Sequence, residues 1–138
     1  MRPIGIACAL VLLLTLSLPT LWAPAGSTAM LEPLVVGWQR IFKLDWQVSE
    51  RRSRSVVNGY LVNDSPYLLW RVQLLVDALD SSGEIVGQQV SWAGPGAMEP
   101  FTRMYFEVPV PRQTSSTYRV RVFAFDRLES PSNPRSGR

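Results

Sequence analysis

The feature that most limits how this chain can fold is an alternation of apolar and polar side chains that begins at Phe42. Such a period of two places every second side chain on the same face of a β-strand. It predicts strands over residues 42–48, 54–62, 67–79, 84–92, 101–110 and 117–127. Turn signals recur about every ten residues, which is typical of an antiparallel sandwich. We therefore expect an all-β antiparallel sandwich of six to seven strands, with a six-stranded barrel as the alternative.

The alternation also predicts which side chains meet between the two sheets. Even-numbered residues from Phe42 onward are expected to point into a dry interlayer. Burial of four of them tests this expectation: Trp70, Val72, Met104 and Val120. The odd-numbered side chains of the long third and last strands would then face outward.

Polar or glycine- and proline-rich segments interrupt the strands, and they are predicted to be turns and loops. They are residues 49–53, 63–66, 80–83 and 93–100. Asp80 is expected to accept hydrogen bonds from backbone N–H groups of its own turn. A calcium-binding loop supplies more ligands than Asp80, Ser82 and Glu84 offer together, so we predict no metal site.

The first 25 residues have the pattern of an export signal. Arg2 precedes an uncharged run of 15 residues, 4–18, and Ala23 and Ala25 form the small-x-small pattern of a cleavage site. The alternative is a retained membrane anchor through residues 3–23. The predicted location is periplasmic or extracellular, with possible anchoring by the N-terminus.

The rest of the chain divides into three segments. Residues 26–41 are predicted to form a linker or a short amphipathic helix, residues 42–127 the sandwich, and residues 128–138 a disordered tail.

Composition excludes several kinds of chemistry. The 138-residue chain has no histidine, and its one cysteine, Cys8, lies inside the N-terminal apolar run. Ser-His-Asp triads, Cys-His dyads and zinc sites built from imidazole or thiolate are therefore excluded from the predicted domain. The net charge of +3 is small for a nucleic-acid-binding surface. We predict no enzymatic activity, no cofactor and no nucleic-acid partner.

Several short motifs carry a family resemblance that covers about residues 54–125. They are Gly59-Tyr60-Leu61-Val62-Asn63, Asp80-Ser81-Ser82-Gly83, Pro100-Phe101 and Tyr118-Arg119-Val120-Arg121-Val122. Together they resemble the FxLYD-type family of secreted bacterial immunoglobulin-like domains. The segment Val76-Asp77-Ala78-Leu79-Asp80 keeps only the final aspartate of the motif that names the family. The resemblance implies an immunoglobulin-like sandwich outside the cytoplasm, and it implies no catalytic residues.

The outward face of the third and last strands is the candidate binding surface. It is predicted to display Arg71, Arg119, Arg121, Phe123 and Phe125. Arginine and aromatic side chains are enriched at protein interfaces, and exposed phenylalanines need cover. The cover is either residues 30–42 of the same chain or a protein partner.

We therefore expect an exported, non-enzymatic sandwich that serves as an interaction or accessory module, with an unknown protein partner in the cell envelope. One alternative is a membrane-tethered structural domain of the envelope. Another is a small-ligand-binding protein, which requires a cavity lined by Asp77, Arg71 and an aromatic side chain.

Overall fold

The computed structural model of the protein describes residues 29–111 and 117–128. The predicted signal or anchor over 1–25 and the tail after residue 128 lie outside these ranges. The described part contains a short 3-10 helix and seven strands. The helix is Trp38–Arg40, and the strands are β1 Phe42–Arg51, β2 Arg54–Asn63, β3 Leu68–Leu79, β4 Ile85–Trp92, β5 Ala97–Met98, β6 Arg103–Pro109 and β7 Thr117–Leu128.

Two antiparallel sheets form a sandwich, which confirms the predicted fold class. The first sheet has the order β1-β2-β6. In the second sheet β3 is central, with β7 along one edge and β4 followed by β5 along the other. The chain crosses between the sheets after β2, β5 and β6, as the element order shows.

The apolar core lies between the two sheets. It consists of Phe42, Val57, Leu61, Leu69, Val72, Leu74, Val76, Ala93, Met98, Phe106, Val108, Val120 and Val122. Val72 and Val120 are buried as predicted, and Met104 packs against this cluster. The even-number rule is wrong elsewhere, because Val57, Leu61 and Leu69 fill the core from odd-numbered positions.

A β-bulge in β3 explains why Trp70 does not lie in the interlayer as predicted. Trp70 pairs with Asp126 and Gln73 with Ala124, so β3 has one residue more than β7 in this interval. Arg71 occupies the left-handed region at φ 53°. Since an extra residue reverses the alternation of faces, Leu69 points inward and Trp70 is 39% exposed.

Three predicted boundaries differ from the structure. β1 continues through residues 49–51, because Arg51 pairs directly with Arg54 across a tight hairpin. Residues 93–100, predicted as a loop, contain the short strand β5, which pairs with Leu69 and Trp70. Leu128, assigned to the tail, still pairs with Leu68 in β7.

The segment before β1 crosses the outer face of the second sheet. We call residues 30–34 the strap. The Leu34 N–H donates to the Phe123 carbonyl at 2.8 Å, and Leu31 contacts Gln88 on β4. The strap therefore forms a partial third layer over β4, β3 and β7. Within residues 29–111 and 117–128, the structure contains no helix with the length and apolar character needed to span a membrane.

Candidate functional site: a charged cluster beneath the strap

The candidate site is the outer face of the second sheet, where the sequence placed the binding residues. Ladder pairing sets Gln88 beside Asp77, Val90 beside Leu75 and Trp92 beside Gln73. The strap divides this face. Asp77 and Leu75 lie in the covered half, and Trp92 lies in the open half.

Asp77 is the centre of the covered half. It is completely buried, although it lies on the outer face of the sheet. Arg119 Nε and Arg121 Nη2 each lie 2.9 Å from Asp77 Oδ2, and Gln88 Nε2 donates to Oδ1 at 2.7 Å. Hydrogen-bonded pairing of this kind offsets the cost of removing a carboxylate from water.

Arg121 and Gln88 connect this cluster to the strap. Arg121 Nη1 lies 2.5 Å from Glu32 Oε2. The Leu31 N–H donates to Gln88 Oε1 at 2.7 Å, and Gln88 Nε2 donates to the Leu31 carbonyl at 2.9 Å. The strap is thus recognised through one carboxylate and its main chain.

The open half displays two tryptophans and an arginine. Trp92 is 53% exposed, and Trp70 is 39% exposed. The Arg71 guanidinium lies 5.9 Å from the centroid of the Trp92 ring and 3.7 Å from Asp126 Oδ2. A neighbouring cation and aromatic ring hold each other in place at a surface.

The structure brings only some of the predicted residues together. Arg119 and Arg121 converge on Asp77, whereas Arg71 lies six residues along the strand, roughly 20 Å away. The cavity that the small-ligand alternative requires, with Asp77 and Arg71 in one wall, is therefore not formed.

Phe123 and Phe125 also differ from the prediction. Phe123 is the extra residue of a second bulge, because Leu74 pairs with Val122 and Gln73 with Ala124. Beyond this bulge Phe125 turns toward the core. Its ring packs edge-on against Phe42, with centroids 5.0 Å apart. The strap crosses β7 at Phe123. A segment of the same chain therefore covers this position, which is the first of the two predicted covers.

The turn after β3 is built by the side chain of Asp80, which accepts hydrogen bonds from Ser82 and from the main chain. Asp80 Oδ1 accepts from the Ser82 hydroxyl at 2.6 Å and from the N–H groups of Ser82 and Glu84 at 2.9 and 3.0 Å. The Ser82 hydroxyl, and next the Glu84 N–H, hold the pKa of Asp80 below its ordinary value. This confirms the predicted turn role of Asp80.

The surface also contains a cleft away from the outer face of the second sheet. A cleft of about 900 Å³ opens at the end of the sandwich between Arg54, Glu107, Pro111 and Tyr118. Among the residues that the structure describes, no three histidine, cysteine, aspartate or glutamate side chains are grouped closely enough to hold a metal ion.

The sequence did not indicate the roles of Gln88, Glu32 and Trp92. Leu79 pairs with Ile85, so a regular hairpin would have set Gly87 opposite Asp77. A bulge between Ala78 and Leu79 brings Gln88 there instead. Glu32 contacts Arg121 across 89 residues of sequence, and no local pattern predicts such a contact.

No family model, curated protein or solved structure matches this chain. The resemblance to FxLYD-type domains therefore stays a prediction.

Proposed function

We propose that this protein is an exported, non-enzymatic β-sandwich domain that binds a protein partner in the cell envelope through the outer face of its second sheet. The observation that carries the proposal is the exposure of Trp70, Arg71 and Trp92 on one rigid surface. Trp92 is 53% exposed, and the Arg71 side chain is 62% exposed.

Both the types of these residues and the backbone that carries them are typical of a protein interface. Tryptophan and arginine are among the residue types that most often dominate the binding energy of a protein interface. Trp92 pairs with Gln73, and Trp70 pairs with Ala97 of β5 and Asp126 of β7, so the backbones of both tryptophans are held by the sheet. A preorganised aromatic surface loses little conformational entropy when it binds.

The test is a pair of surface variants in cells that export the protein. Trp70→Ser with Trp92→Ser removes the aromatic surface, and Tyr105→Ser is the matched control. Tyr105 is 49% exposed on the first sheet, where it faces away from this surface. After in-cell crosslinking, we expect the double variant to lose a discrete crosslinked partner at least tenfold and the control to retain it. Equal crosslinking by both variants, with unchanged thermal unfolding, would contradict the proposal.

A second candidate function is a membrane-tethered domain of the envelope. Its specific support is the segment that follows the apolar run of residues 4–18, because Val36 is 97% exposed and Leu34 is 70% exposed. Exposed apolar residues beside a tether can contact the interfacial layer of a bilayer. Membrane association that resists carbonate extraction supports the tether, and full release into the soluble fraction contradicts it.

A further inference from the structure

We propose that the strap occupies a peptide-binding site in place of a partner. The covered half of the outer face would bind an extended peptide that carries a carboxylate between apolar residues, as the strap carries Glu32 between Leu31 and Leu34. This inference rests on the proposed function, because it names the kind of protein segment that the domain would bind.

The surface beneath the strap is built for such a ligand. Leu75 and Asp77 are completely buried, although both lie on the outer face of a sandwich sheet. Arg121 is 15% exposed, and it presents one side of its guanidinium to Asp77 and another to Glu32. Once the strap leaves, this face offers an apolar floor and a guanidinium fixed by a buried carboxylate.

The strap buries little of its own apolar surface and is held mainly by polar contacts. Leu31 is 40% exposed and Leu34 is 70% exposed, so little apolar surface is removed from water. The Glu32 side chain is 67% exposed, and ion pairs that accessible contribute at most about 1 kcal/mol. A competing peptide that buried its apolar side chains more fully could therefore displace the strap.

The strap engages the Arg121 guanidinium through only one close carboxylate contact. Guanidinium groups bind carboxylates most strongly through two parallel N–H donors. Glu32 engages a single nitrogen, Nη1, so the strap is an imperfect occupant of this site.

The experiment uses the peptide AMLEPLVV, residues 29–36, acetylated, amidated and fluorescently labelled. It is titrated into the purified chain and into two variants at the same position. Leu34→Pro removes the N–H that donates to the Phe123 carbonyl, and Leu34→Ala keeps that N–H and is the control. Both replace a side chain that is already 70% exposed.

We expect Leu34→Pro to bind the peptide roughly three- to tenfold more tightly than Leu34→Ala, because a backbone hydrogen bond no longer holds the competing strap. A peptide with glutamine in place of glutamate should bind more weakly to every form. Should Leu34→Pro fold poorly, as judged by thermal unfolding, Glu32→Gln provides a second weakened strap, with Glu99→Gln as its control.

Equal affinity of Leu34→Pro and Leu34→Ala, or equal binding of the glutamate and glutamine peptides, would overturn this inference. Neither result bears on Trp70 and Trp92. The proposed function instead fails if the tryptophan variants retain their crosslinked partner, so the two failures are distinguishable.

Discussion

At the scale of single residues, Asn63 shows how one buried amide organises a turn. It is fully buried at the end of β2. Its Nδ2 donates to the carbonyls of Tyr67 and Glu99 at 2.8 and 3.0 Å, and its Oδ1 accepts from the Ser65 hydroxyl at 2.6 Å. The sequence predicted a turn here. That the same side chain also joins the β5–β6 connection depends on tertiary packing.

We expect Asn63→Ala to lower the free energy of unfolding by about 3 kcal/mol, because it leaves buried carbonyls without donors. Asn58→Ala is the control, since Asn58 bonds mainly to the Ser49 hydroxyl, and it should cost about 1 kcal/mol. Urea denaturation followed by tryptophan fluorescence measures both. Equal losses of unfolding free energy in the two variants would contradict a larger stabilising role for the Asn63 hydrogen bonds.

At the scale of elements, the bulges in β3 and β7 decide which side chains face the core. Alternation predicted both strands correctly as strands, and it predicted the inward faces of Val72 and Val120. The alternation predicted the wrong face on one side of each bulge, because a single extra residue exchanges the two faces of the strand. Arg71 adopts a positive φ without being glycine, so its sequence carries no signal for a bulge.

The second bulge leads to different expectations for two phenylalanines. Phe125→Ser should lower the free energy of unfolding by about 3 kcal/mol, since its ring packs against Phe42 in the core. Phe123→Ser should cost about 1 kcal/mol, because its ring is only partly buried and its carbonyl contact to Leu34 is retained. Denaturant midpoints at constant m-value test the difference. A larger loss for Phe123→Ser would mean that the bulge is misplaced.

At the scale of the whole molecule, the two outer faces of the sandwich differ in character. The first sheet leaves Tyr60 and Tyr105 in contact with each other and with solvent. The second sheet carries a strap, and beneath it a buried aspartate with two arginines. A strand in a sandwich normally buries one face, but β3 buries residues on both faces over its second half. The strap therefore completes the burial of this half of the second sheet.

Removing Asp77 should have the largest effect of any charge substitution. We expect Asp77→Ala to lower the free energy of unfolding by about 4 kcal/mol, because Arg121 would remain mostly buried without its carboxylate. Asp45→Ala, at an exposed position of β1, should change stability by less than about 0.5 kcal/mol. Calorimetric unfolding of both variants is the measurement. A neutral Asp77→Ala would show that the ion pairs only offset their own desolvation.

The sequence by itself determined the fold class, six of the seven strands and the main turns, because alternation and turn chemistry act between residues close together in the chain. It also placed Arg119 and Arg121 on one face. Only the tertiary structure decided that they meet Asp77 under Glu32 and that Phe125 turns inward. Those contacts join segments as many as 89 residues apart, and they depend on bulges whose residues look like any other strand residues in the sequence.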